Sequence, residues 1–214
     1  GGQETYLALL EDPKLLARTG LAEAKTLEGF LYPETYFFSR VERPRQILAT
    51  MISQYRHTFT PELRARAEEL GLSEYQVLTL ASIVEREAQR EDEMPRIAGV
   101  FINRLKKKMR LQSDPTVVYG LTEGASSLGR SLSHADLKRP TPYNTYIIDG
   151  LPPTPIVNPG QASIMAVLRP VETDEFYFVA DGDGGHAFAK TLAEHNRNVA
   201  RWRRIEKRKL QSQK

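Results

Sequence analysis

Residues 71–89 read GLSEYQVLTLASIVEREAQ. Ser73 and Gln76 stand three apart as a capping box, and Leu72 and Val77 flank them as a hydrophobic staple, so a helix is expected from Glu74 to about Gln89. With Val77 at zero on a wheel of about 100° per residue, Leu78, Leu80, Ala81, Val84 and Ala88 form an apolar stripe centred near 10°. Glu85 falls inside that stripe, near 80°, and Glu87 at its opposite edge, near 280°. A carboxyl among apolar neighbours is disfavoured in its charged form, so Glu85 is expected to hold its proton toward neutral pH, as a general acid must. Moving a glutamate from about 4.3 to about 6 takes roughly 2.3 kcal/mol. The plainer alternative for Glu85 is a surface residue whose stem packs on the core. Glu87, the competing acid, reads as a solvated partner of Arg86 or Arg90.

Outward from this helix the punctuation is mostly helical. Thr60-Pro61-Glu62 opens a helix that Gly71 closes, and Met94-Pro95 opens one running to about Met109 with Ile97, Val100, Phe101 and Leu105 on one face. Ser133 to Leu137 suits a short capped helix, Asn158-Pro159 opens another through Leu168, and Thr191 with Glu194 caps a long basic C-terminal helix. Strand patterns are fewer: Leu31 to Phe38, Thr116 to Tyr119, Tyr146 to Ile148, and Phe176 to Val179 facing His186 to Phe188 across a glycine-rich turn. Helices dominate without βαβ alternation, which predicts an α+β fold, mostly helical with a small antiparallel sheet. No repeat or low-complexity stretch divides the chain.

Of the 214 residues 40% are hydrophobic and 8% aromatic, enough for a packed core. The isoelectric point near 9.1 is local in origin. Residues 201–214 carry seven Lys/Arg against one Glu, so a whole-chain charge of +3 leaves −3 on the preceding 200 residues. That acidic body, without a basic and aromatic surface pattern, argues against a nucleic-acid partner, and the basic end reads as a solvated face, with a membrane-surface or partner contact as the alternatives. With no cysteine, disulfides, thiolate metal sites and thiol nucleophiles are excluded. Neither a signal peptide nor a run of about 18 apolar residues is present, and Gly1-Gly2 reads as an expression remnant that replaces any upstream anchor.

Two proline-pinned polar tracts, Leu111 to Thr116 and Thr141 to Tyr146, mix amide, hydroxyl and aromatic groups of the kind that bind sugars; spacing alone also allows that they merely build turns. Glu34 lies in a Tyr-Pro-Glu-Thr-Tyr turn and suits either substrate contact or a structural hydrogen bond. Asp181 to Gly185 lacks a glutamate at the twelfth position of a calcium loop, where Leu192 stands, so it reads as a hairpin turn. His57, His134, His186 and His195 lack zinc-site spacing, and His186 reads as an ordinary strand histidine, with a place beside a cleft as the alternative.

Five stretches in order carry a resemblance: LEGFLYPETYFF, LASIVEREAQ, VFINRLKKKMRLQSDPTVVYG, PYNTYIIDGLPPTPIVNPG and YFVADGDGGHAFAKTLAEHN. Together they resemble the MltG (YceG-like) endolytic murein transglycosylase family. The resemblance implies a helical lead-in at 1–25, a catalytic domain at 26–205 with a lysozyme-like cleft, and a basic tail at 206–214. It implies Glu85 as the catalytic acid and base, with Gln112, Ser113, Asp114, Tyr143, Asn144, Thr145 and Glu34 binding substrate and with no cofactor or metal. The implied reaction cuts the β-1,4 bond between N-acetylmuramic acid and N-acetylglucosamine without water, leaving 1,6-anhydro ends and terminating nascent strands. Implied partners are peptidoglycan strands and penicillin-binding proteins, and the implied setting is the periplasmic face of the inner membrane, reached through an N-terminal membrane helix missing from this chain. A non-catalytic peptidoglycan-binding scaffold is the alternative.

Overall fold

The computed structural model describes residues 2–124 and 127–212; Gly1 of the expected remnant and Gln213-Lys214 of the expected tail lie outside the described residues. The helices are α1 (Gly2–Leu7), α2 (Pro13–Thr19), α3 (Pro44–Thr58), α4 (Pro61–Glu69), α5 (Glu74–Glu87), α6 (Met94–Lys106), α7 (Asp114–Thr122), α8 (Gln161–Leu168) and α9 (Leu192–Ser212), with β1 (Tyr177–Ala180) and β2 (His186–Ala189) between the last two. The fold is α+β, with the two strands paired antiparallel so that Phe178 faces Phe188.

The helix starts follow from side chains that meet orphan backbone donors. Ser73 Oγ accepts the Gln76 N–H at 3.2 Å while Gln76 Oε1 accepts the Ser73 N–H at 2.9 Å, a reciprocal pair that sets the first turn of α5. Thr191 and Glu194 do the same for α9. Helix α5 is buried nearly all round, from Tyr75 through Val84, which makes it the central helix rather than a surface one. It packs against α6, α7 and α8, and α6 also packs on α8. One hydrophobic core runs through Leu15, Phe30, Tyr55, Leu78, Phe101 and Ile164. Helix α9 lies on the hairpin.

Three expected strands are absent. Thr116 to Tyr119 lies inside α7: its β-branched run suits a strand, but Asp114 and Pro115 in the first turn start a helix whose Thr116 and Val117 point into the core. Residues 31–38 have no strand partner; the Leu31 N–H goes instead to Asn158 Oδ1. Tyr146 to Ile148 is a turn, because the Ile147 and Ile148 N–H groups both donate to the Asn144 carbonyl. Helix α6 stops at Lys106, short of Met109, where Lys108 turns left-handed at φ 55°. Helix α8 begins at Gln161 because the Asn158 side chain is committed elsewhere, and the Ser133 region closes as a single 3-10 turn at Asp136–Lys138.

Candidate active site

The polar groups of the chain converge on the C-terminal end of α5, where Glu85 and Glu87 leave the helix on opposite flanks. On the Glu85 flank, segments 28–34 and 154–160 run together. Gly29 adopts φ 91°, and a Cβ there would fall 2.5 Å from Pro155 Cγ, so glycine permits this approach. Asn158 Oδ1 accepts the N–H groups of Gly29 at 2.7 Å and Leu31 at 3.2 Å. Glu85 is half-buried, and its Oε2 accepts the N–H of Gly160, the residue that caps α8, at 3.1 Å.

On the other flank the Glu87 carboxyl accepts the Ser113 hydroxyl at 2.6 Å. Glu87 is half-buried as a residue, and its carboxyl lies deep. Burial pushes that carboxyl up to about 7, with the negative field of Asp114 adding to the effect and the Ser113 bond and the Arg104 charge opposing it. The expectation of a solvated Glu87 paired with Arg86 or Arg90 is therefore corrected. Arg90 pairs with Asp92 at 2.7 Å, and tertiary contact from α7 buries the side of α5 that the wheel placed at the stripe edge.

The two polar tracts meet beside Glu87, but they divide the work. Ser113, Asn144 and Thr145, expected to bind substrate, are buried here and engaged in hydrogen bonds within the protein. Thr145 Oγ1 accepts the Ser113 N–H at 2.9 Å and lies 2.8 Å from Thr116 Oγ1. The Asn144 amide donates to the carbonyls of Leu137 and Arg139 and its oxygen accepts the Tyr146 N–H. Polar and aromatic side chains that reach solvent in this region include Gln112 and Asp114, both exposed, and half-buried Tyr143 and Tyr146. The Tyr146 hydroxyl donates to Asp114 Oδ1 at 2.6 Å. Tyr143 packs against Tyr119 with the rings tilted by 55° and 4.6 Å between centroids, and it shares a hydrogen bond with Thr154. Glu34 is exposed, and its carboxyl accepts the N–H of its neighbour Thr35 at 3.3 Å.

Sequence reasoning passed over Glu28, whose carboxyl accepts the Tyr119 hydroxyl and is raised by burial. It also passed over Arg104, which lies buried behind Gln112. Glu28 stands inside the LEGF stretch and Arg104 inside FINRL, yet neither carries a local pattern that separates it from a surface charge. His186 is a clasp rather than a cleft residue: Nδ1 lies 2.8 Å from Glu93 Oε2, and its N–H donates to Glu93 Oε1. Among the described residues no group of three His, Cys, Asp or Glu side chains is placed to hold a metal ion.

Two concavities of about 340 Å³ each lie along Leu105 and Gly150, one reaching Met109 and the other Tyr75 and Pro153, and neither is lined by Glu85 or Glu87. Beside the carboxyl end of α5, Gln112 and Asp114 are exposed.

A family model described as the YceG-like family matches residues 4–201. The chain belongs to the YceG-like family. This YceG-like chain is 42% identical over 172 residues to the endolytic murein transglycosylase of Bacillus subtilis (strain 168), a match covering 80% of the chain and 46% of that relative. It is 32% identical to the endolytic murein transglycosylase of Streptococcus pneumoniae serotype 2 (strain D39), covering 92% of the chain and 37% of the relative. The chain spans less than half the length of these curated relatives. Among solved structures it is similar to the 2.6 Å crystal structure of the yceG-like protein lmo1499 from Listeria monocytogenes. The TM-score there is 0.77 and the identity 36%, over 91% of this YceG-like chain and 66% of that one.

Proposed function

We propose that this chain is the catalytic portion of an endolytic peptidoglycan lytic transglycosylase and that Glu87 is its acid and base. The observation that carries the assignment is a deeply placed carboxyl at about 7 that accepts the Ser113 hydroxyl beside exposed Gln112 and Asp114. Such a group is half protonated near neutral pH, the condition for donating a proton in one step and taking one in the next. The resemblance in sequence points to Glu85, but Glu85 Oε2 is engaged by Gly160, a tie between α5 and α8.

In the reaction, protonated Glu87 gives its proton to the glycosidic oxygen as the bond from that oxygen to muramoyl C1 breaks. The muramoyl 6-hydroxyl then attacks C1, and the Glu87 carboxylate takes the hydroxyl proton as the 1,6-anhydro ring closes. No water is consumed and the acid returns to its starting state. One carboxyl suffices because the attacking group is tethered, in contrast to the paired carboxyls of hydrolysing glycosidases. Half-buried Tyr143 and Tyr146 offer ring faces and Gln112 and Asp114 offer polar atoms to the sugars. The role in nascent-strand termination, the periplasmic face of the inner membrane and penicillin-binding protein partners belong to the same reading and are supported by family resemblance. Among the described residues no helix is long and apolar enough to cross a membrane.

The test compares Glu87→Gln and Glu85→Gln on purified glycan strands with mass analysis of the products. Loss of cleavage in Glu87→Gln with retention in Glu85→Gln, and anhydro ends from the unaltered chain, are expected. The reverse pattern returns the role to Glu85, ends that have gained water indicate a hydrolase, and an unaltered chain that binds strands without cutting them is a scaffold.

A further inference from the structure

Arg104 lies in the last turn of α6, is 6% exposed, and forms no ion pair among the described residues. Its Nη1 donates to the carbonyls of Arg110 at 3.2 Å and Leu111 at 2.8 Å and reaches Gln112 Oε1 at 3.4 Å. Its Nε donates to the Phe176 carbonyl at 2.6 Å, just before β1, and the guanidinium stands 5.2 Å from the Tyr177 ring centre. A buried cation without a bonded anion is costly, so its many carbonyl bonds call for an explanation beyond packing.

The turn that those carbonyls enter supplies one. Gln112 is a non-glycine residue at φ 51°, in the left-handed region, and such strain persists only where the surroundings over-determine it. Arg104 grips the two carbonyls before Gln112, and the Thr145 carbonyl accepts the Gln112 N–H at 3.1 Å. The next residue is Ser113, whose hydroxyl is on Glu87.

We propose that Arg104 is a positioning residue for the Glu87 acid: by holding the Arg110 and Leu111 carbonyls it keeps Gln112 in its left-handed turn and the Ser113 hydroxyl on the Glu87 carboxyl, tying the acid to the hairpin. This rests on the assignment of Glu87 as the acid. The charged and titratable groups that face Glu87 are Arg104 from α6, Asp114 from the head of α7 and Tyr146 from the following loop. Of these Arg104 alone favours the charged form of Glu87, and Asp114 opposes it.

The experiment uses the full chain carrying Arg104→Lys or Arg104→Met. Lysine keeps the charge, but a compact ammonium cannot span carbonyls on both sides of the guanidinium. Arg104→Lys is expected to lower kcat about ten- to hundred-fold with KM nearly unchanged and the alkaline limb of the pH profile in place. Arg104→Met removes the cation as well, so the alkaline limb moves to higher pH. The same shift is read without turnover as the Glu87 carboxyl titration in ¹³C-glutamate NMR, its signal assigned by loss in Glu87→Gln. Wild-type kcat in Arg104→Lys, or an unmoved Glu87 midpoint in Arg104→Met, overturns the proposal. Should Arg104→Met not fold, Arg104→Gln, which removes the cation but keeps an amide donor, is read in its place: a Glu87 midpoint at higher pH is expected, and an unmoved midpoint overturns the proposal. If Glu87→Gln keeps full cleavage, the acid assignment fails, while the NMR midpoints still judge the Arg104 contact.

Discussion

The Ser113 hydroxyl and the Glu87 carboxyl meet at 2.6 Å across 26 residues of sequence. This contact joins the carboxyl end of the central helix to the head of α7, and it brings a buried acid to the edge of two solvent-exposed polar side chains, Gln112 and Asp114. Most of what can be measured on this chain passes through that pair.

The first expectation concerns stability against pH. With Glu87 near 7 in the folded chain and near 4.5 when unfolded, the folded state holds a proton that the unfolded state releases between those values. The stability this gives is fully present below about 4.5 and is lost as pH rises through 7, by up to about 3 kcal/mol. Urea unfolding between pH 4 and 8 is expected to show that decline in the unaltered chain and a flatter profile in Glu87→Gln. Parallel profiles for the two would show that Glu87 titrates normally.

Removing the hydroxyl tests the other partner. Ser113→Ala deletes a bond that holds the Glu87 pKa down, so the alkaline limb of cleavage is expected to move to higher pH. A buried acceptor left short of a donor costs about 1–3 kcal/mol, read as a lower unfolding midpoint. An unshifted limb would mean that Glu87 does not govern the rate.

Asn158 offers a prediction about architecture. Its single oxygen accepts the N–H groups of both Gly29 and Leu31, and Gly29 is buried. Asn158→Ala strands those donors and is expected to cost about 2–3 kcal/mol in chemical denaturation, with Asn158→Asp retaining much of the difference. Amide exchange at Gly29 and Leu31 should speed up in the alanine variant; unchanged protection there would contradict the role.

Local chemistry made much of the fold legible. Ser73 with Gln76, Thr60 before Pro61, and Thr191 with Glu194 each declare a helix start through contacts within four residues, and all three helices are present. Thr116 to Tyr119 misled because β-branching is a property of side chains, whereas the helix there is decided by Asp114-Pro115 and by burial against α5. The site was less legible for the same reason. A wheel drawn on one helix records only that helix's stripe, and what buries Glu87 arrives from Ser113 and Asp114 on another element. For Asn144 the residue type and turn context are visible in the sequence, while the carbonyls of Leu137 and Arg139 that take its amide donors are not.

The clasp between His186 and Glu93 bears on how the chain tolerates change in length. Only six residues separate Glu87 from Met94, and they are fastened at one end by the acid's own bond to Ser113 and at the other by the hairpin through Glu93. Surface connections ordinarily accept inserted residues at small cost. This one is expected to refuse them, since a single added residue would have to drag either the acid or the hairpin out of register, whereas the exposed run from Phe37 to Val41 has room to lengthen.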